Sequence, residues 1–122
     1  MSSASEDHAA ASARAAVVGL EITGVSFLHD FIEVHLGDVV LTGLTPPFGM
    51  IDCRGVGADA IVSLIGRTVD DFVVEHSCIA VDSGASRLAF PVGGQSPDGP
   101  ESVRLVRPAR AELGIERAMW IW

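Results

Sequence analysis

Lysine, asparagine and tyrosine are absent from the 122 residues, and all eight basic side chains are arginine. The codons of the three missing residues are AT-rich, so their absence reads as a GC-rich bacterial genome and not as a functional choice. Basic charge is scarce: 16 Asp and Glu stand against 8 Arg, a net charge of -8. A domain this acidic repels phosphate backbones, which excludes nucleic acid as an expected partner. Charge of one sign also speeds encounter with a basic protein and keeps a hydrophobic chain soluble. Cysteine is rare. Cys53 and Cys78 form no CxxC pair and no repeated spacing, which excludes a zinc ribbon or a disulfide scaffold. Two free thiols in a reducing cytoplasm are the expected state, with a Cys53–Cys78 bridge as the alternative. No apolar run approaches the ~20 residues of a membrane span. Residues 1–16 include Glu6 and Asp7 and lack an apolar core, so no signal peptide is expected.

What is present is a core. The chain is 48% hydrophobic with a mean hydropathy of +0.40, and its length fits one domain. Residues 1–16, rich in Ser and Ala, have few large apolar groups and are expected to be a flexible N-terminal tail. Ala9–Ala16 has helical propensity, but so short a segment is marginal alone in water. Residues 17–122 are expected to form a single α+β domain.

The organising stretch runs from Asp30 to Leu44. Leu36-Gly37-Asp38-Val39 fits a two-residue hairpin loop with glycine at its first central position. That loop sets a register in which Leu36 faces Val39, Val34 faces Leu41 and Ile32 faces Gly43. The other face pairs His35 with Val40, Glu33 with Thr42 and Phe31 with Leu44. Val17–Leu28 reads as a preceding strand and Phe48–Cys53 as a short following one. Ala58–Ile65 has a helical apolar stripe, with Asp59 in its first turn and Gly66 at the C-terminal cap. Val69–Glu75 reads as a strand. Cys78–Asp82 and Ser86–Val92 read as a hairpin across Ser83-Gly84. Glu101–Arg107 alternates Val103, Leu105 and Arg107 against Ser102, Arg104 and Val106. Arg107–Glu116 is a loop with a helical turn, and Arg117–Trp122 is a terminal strand. The expected fold is α+β: a bent, mainly antiparallel sheet, partly barrel-like, with one short helix.

Several constellations carry residue types that could do chemistry. His29, Glu33 and His35 share a face of the strand, and imidazole and carboxylate are metal-ligand types. Same-face neighbours lie about 7 Å apart, so one ion could join Glu33 and His35 but not His29. Gly55-Val56-Gly57-Ala58-Asp59-Ala60 matches a relaxed dinucleotide fingerprint, yet its helix is too short for a doubly wound sheet. Gly94-Gln95-Ser96-Pro97-Asp98 lacks the last glycine of a nucleophile elbow. Asp70 and Asp71 point to opposite faces of a strand and make a poor acid–base pair. Cys53 and Cys78 carry no local mark of a nucleophile. Trp120 and Trp122 share a face and suit the core or the cap of a sheet. No catalytic residue, cofactor or metal is expected.

The segment order resembles small uncharacterised actinobacterial domains, some grouped with immunity proteins of bacterial toxin systems. The resemblance rests on Gly19 to Val25, the ribbon, Ser63-Leu64-Ile65-Gly66-Arg67-Thr68-Val69, the Val81–Gly84 hairpin, Gly99-Pro100-Glu101 and the closing Ile121-Trp122. Family members often carry an aromatic after the glutamate, where this chain has Ser102 and Val103. The resemblance implies an α+β fold without catalysis. With the acidic balance, it leads to the expectation of a non-enzymatic protein-binding module, an immunity-type inhibitor, meeting a basic partner through Glu33, His35, Thr42, Asp70 and Asp71. One alternative is an assembly subunit that homo-oligomerises through its apolar surface; another is a small metal-binding enzyme using His29, Glu33 and His35, with Glu33 and His35 as the candidate metal ligands.

Overall fold

The computed structural model describes residues 4–28, 31–43, 49–51, 61–92 and 103–122. Its elements are helix α1 (Ala4–Val17) and strands β1 (Gly24–Phe27), β2 (Ile32–Leu36), β3 (Val39–Gly43), β4 (Gly49–Ile51), β5 (Asp71–Val74), β6 (Cys78–Ser83), β7 (Ser86–Pro91), β8 (Val103–Arg107) and β9 (Ala118–Ile121). They form two antiparallel sheets, one of order β1-β2-β3-β8-β9 and one of order β4-β7-β6-β5. The α+β class holds. In place of one bent, barrel-like sheet there are two, neither closed among the described residues.

The split follows from where the apolar residues fall. Val34, Leu36, Val39, Leu41, Val103 and Leu105 alternate along β2, β3 and β8 and are buried. Phe72, Ile79, Val81, Leu88 and Phe90 do the same along β5, β6 and β7. Each sheet thus has one apolar face, and the two faces share one core. The Phe72 and Trp122 rings, 5.8 Å apart between centroids, join them at one end. Trp120 and Trp122 pack half-buried against this core, and the Arg107 guanidinium lies 5.8 Å over the Trp120 ring.

The β2–β3 register is the expected one from Ile32↔Gly43 to Leu36↔Val39. The expected Phe31–Leu44 pair lies partly outside the described residues. Gly37 stands at φ 70 in the turn, a conformation that needs glycine. Thr23 braces that turn: its hydroxyl accepts from Gly37 N at 3.1 Å and donates to His35 O at 3.2 Å. Arg110 pairs with Asp38 from the other side, its Nε 3.0 Å from Oδ2. The second hairpin forms as expected, with Ser83 opposite Ser86 and Asp82 opposite Arg87.

The N-terminal segment departs from the sequence reading. Residues 4–17 are not a tail but a helix. Ala13 and Val17, one turn apart, are fully buried, and α1 packs on β5. An isolated helix of this length is marginal. Burial of Val17 is worth about 1.5–3 kcal/mol, which the sheet supplies and solvent does not.

The first expected strand, Val17–Leu28, divides in consequence. Val17 ends the helix, and only Gly24–Phe27 joins the five-stranded sheet. Between them the chain runs beside residues 66–69: Gly19 N donates to Val69 O, Val69 N to Leu20 O, Ile22 N to Arg67 O and Gly66 N to Ile22 O, all at 2.8–2.9 Å.

The expected helix 58–65 begins outside the described residues. Ile61 and Val62 are helical, and the turns that follow are tight, with Leu64 N 3.0 Å from Ile61 O and Ile65 N 3.0 Å from Val62 O. Ile61 and Leu64 face the core. Gly66, at φ 94, ends the segment as the cap glycine was expected to. The fingerprint at 55–60, Cys53, His29 and the loop around Ser96 lie outside the described residues.

Candidate functional site

The outer face of the five-stranded sheet is fixed by register. Ser26 pairs with Glu33, Glu33 with Thr42, Thr42 with Arg104 and Arg104 with Ile121. One row along, Gly24 pairs with His35, His35 with Val40, Val40 with Val106 and Val106 with Met119. Directly paired residues in an antiparallel sheet share a face, so these ten positions form two parallel rows across all five strands. Ser26, Glu33 and His35 make β1 and β2 polar, β3 and β8 each carry one polar and one apolar residue (Thr42 and Val40, Arg104 and Val106), and β9 is apolar. Ile121 and Met119 are 46% and 41% exposed, large values for side chains of their size.

Glu33, His35 and Thr42 therefore stand together, as expected. Glu33 Oε1 lies 3.4 Å from His35 Nε2, and Ser26 Oγ lies 3.1 Å from the same nitrogen. Ser26 is new to the cluster. Alternation in Gly24-Val25-Ser26-Phe27 sets Ser26 opposite to Val25 and Phe27, but only the β1–β2 pairing places it beside His35.

A serine, a histidine and a glutamate within hydrogen-bond reach invite comparison with a hydrolytic triad. The geometry does not match. In a triad the nucleophile and the acid occupy different ring nitrogens, so the imidazole can take a proton on one side while the acid orients it on the other. Here both partners converge on Nε2 and compete for it. The group also makes a poor metal centre, since one imidazole and one carboxylate fall short of the three or four ligands of zinc. Among the described residues no group of three or more His, Cys, Asp or Glu could hold a metal ion.

Asp70 and Asp71 lie elsewhere, at the start of β5 in the other sheet. The Asp70 carboxylate accepts from Gly84 N, pinning the β6–β7 turn. Asp71 Oδ1 accepts from Arg14 Nε at 2.6 Å and from Phe72 N at 2.8 Å. The Arg14 hydrogen bond holds the Asp71 carboxyl below the usual range, against a smaller opposing effect of burial.

The outer face of the four-stranded sheet carries a second polar group. Arg87 makes a two-pronged pair with Asp82, Nε–Oδ1 2.7 Å and Nη2–Oδ2 2.9 Å, and lies 3.9 Å from Glu75. Cys78 Sγ donates to Glu75 Oε1 at 3.6 Å. Burial, then the Glu75 carboxylate, push this thiol above its ordinary value. Cys78 is thus a protonated, buried, free thiol and a poor nucleophile.

No helix among the described residues is long and apolar enough to cross a membrane. No family model matches the chain, and no curated protein or solved structure is significantly similar to it.

Proposed function

We propose that the chain is a non-enzymatic protein-binding module whose contact surface is the outer face of the five-stranded sheet. The observation that carries this reading is the row structure: exposed Met119 and Ile121 on the edge strand, and Val40 and Val106 on the strands inside it, share one sheet face with Ser26, Glu33, His35, Thr42 and Arg104. Large exposed apolar side chains set among polar groups on one sheet face mark a protein-contact surface. The acid–base geometry of the same face argues against hydrolysis. An immunity-type inhibitor acting in the cytoplasm belongs to this class, and a net charge of -8 would speed its encounter with a basic toxin. Site-specific photo-crosslinking in extract of the source organism tests the reading. A photoreactive side chain replacing Ile121 is expected to join the chain covalently to a polypeptide, and one replacing the exposed His76, in the turn between β5 and β6, is not. Adducts from position 76 alone, or from neither position, overturn it.

A further inference from the structure

We infer that the occupant of this face is a second copy of the chain, stacked sheet on sheet about a twofold axis that runs along β3. The inference rests on reading this face as a protein-contact surface and adds the partner. Thr42 and Val40 lie on the central strand of the five. On either side of them the first row, and the two edge positions of the second, are complementary to their own reverse. In one row Glu33 stands a strand before Thr42 and Arg104 a strand after it. In the same row Ser26 occupies one edge and Ile121 the other; in the neighbouring row Gly24 and Met119 do so.

A twofold axis along β3 exchanges β2 with β8 and β1 with β9 while keeping each row at its own height. It therefore sets Glu33 against the second copy's Arg104, twice. It also sets the projecting Met119 over the second copy's Gly24, which has no side chain, and Ile121 over Ser26. Charge and size are matched by the same operation, as an isologous interface requires. Strands spaced about 4.8 Å apart and sheets stacked about 10 Å apart allow these contacts directly, and aligned stacking keeps strand directions within about 30°.

The balance of charge favours a second copy over a basic protein. The chain as a whole carries -8, but the two rows hold one glutamate, one arginine and one histidine. A face built for a basic partner would be acidic. The face measures about 24 by 15 Å, well under the ~800 Å² per partner of a standard interface. An interface of this size belongs with the small, transient ones, so the dimer is weak and exchanging.

Sedimentation equilibrium from about 10 µM to 1 mM, in about 0.15 M salt to screen the general repulsion, tests the inference. The native chain is expected to pass from monomer to dimer. E33R and R104E each place like charges opposite one another and are expected to weaken dimerisation about tenfold or more. Mixing E33R with R104E restores both opposite-charge contacts, and the two together are expected to form a heterodimer that neither forms alone. That rescue also shows both variants to be folded. A native chain that stays monomeric to 1 mM overturns the inference, as does a dimer indifferent to both reversals, which would mark pairing along the β9 edge. A monomer whose position 121 still crosslinks to a different polypeptide overturns the second copy while leaving the protein-contact reading in place.

Discussion

The Phe90 ring occupies the space that a side chain on Gly43 would need. A Cβ built on Gly43 would sit 2.4 Å from both Cδ1 and Cε1 of that ring. Gly43 ends β3 in one sheet and Phe90 lies on β7 in the other, so the two sheets touch here at the closest approach side chains allow. Phe90 is fully buried and cannot swing into solvent. Gly43→Ala is expected to destabilise the chain by about 2–3 kcal/mol through overpacking, read from urea denaturation. In a Phe90→Leu background the same substitution should cost clearly less, because the ring that obstructs it is gone. Equal costs in both backgrounds would refute the contact.

Val17 is the apolar anchor of α1. Val17→Ala should cost about 2 kcal/mol by leaving part of a buried site empty. Hydrogen exchange offers a second measurement. Amides of residues 12–17 are expected to be protected to a degree that falls in the Val17→Ala chain, whereas a tail would exchange at once in both.

Arg14 and Asp71 form an ion pair between α1 and β5, with side chains 54% and 43% exposed. Solvent screens a pair so open, and Arg14→Gln is expected to cost about 0.5 kcal/mol near neutral pH. Its pH dependence is more diagnostic. The folded Asp71 holds its proton less tightly than the unfolded one, so the unfolded state binds more protons through the acid range, and stability rises with pH there. The contribution is present above an ordinary carboxylate pKa of about 4 and is lost as pH falls through the lowered folded value. Carbon-detected NMR titration should place Asp71 below the ordinary range in the native chain and higher in Arg14→Gln.

Cys78 should resist alkylation. In a Cys53→Ser background, the remaining thiol is expected to react with iodoacetamide at pH 8 far more slowly folded than in denaturant. Glu75→Gln removes a carboxylate that raises the thiol pKa, so it should speed the folded reaction while burial keeps it below the unfolded rate. The linkage sign is opposite to that of Asp71. The folded state keeps the proton longer, so this contribution is whole below about pH 8.5 and fades as pH rises through the raised folded value.

The local pairings were legible because short-range chemistry sets them. Gly37-Asp38 defines a loop length, and loop length defines register, so the outward placement of Glu33, His35 and Thr42 could be read directly. The same held for the hairpin around Gly84. The neighbours of that face could not be read in this way. Alternation in Val103–Arg107 shows that Arg104 and Val106 share a side, but nothing local says that this strand lies next to Thr42. That contact closes across some sixty residues and is set by which apolar faces fit the core. The helix was missed for the same reason. Ala13 and Val17 are too few to predict burial alone, and their covering surface, β5, comes much later in the chain. Asp71 reads from the sequence as an acid open to a basic partner because the arginine it pairs with lies 57 positions away.

The topology also bears on how such a chain can change over generations. Gly43 and Val103 are paired partners, so the whole second sheet leaves and re-enters the first at a single doorway. An insertion whose ends already touch can lengthen, shorten or be exchanged without shifting the register of the strands that host it, since the entropy of closing a longer loop grows only slowly. The proposed contact surface lies on the host's far side and would be untouched by such exchanges. What limits them are the contacts that cross between the two parts: the shared core, α1 on β5, the backbone bonds between residues 19–22 and 66–69, and the Phe90 ring against Gly43. A replacement without the Phe90 ring would leave space at Gly43 that a side chain there could fill.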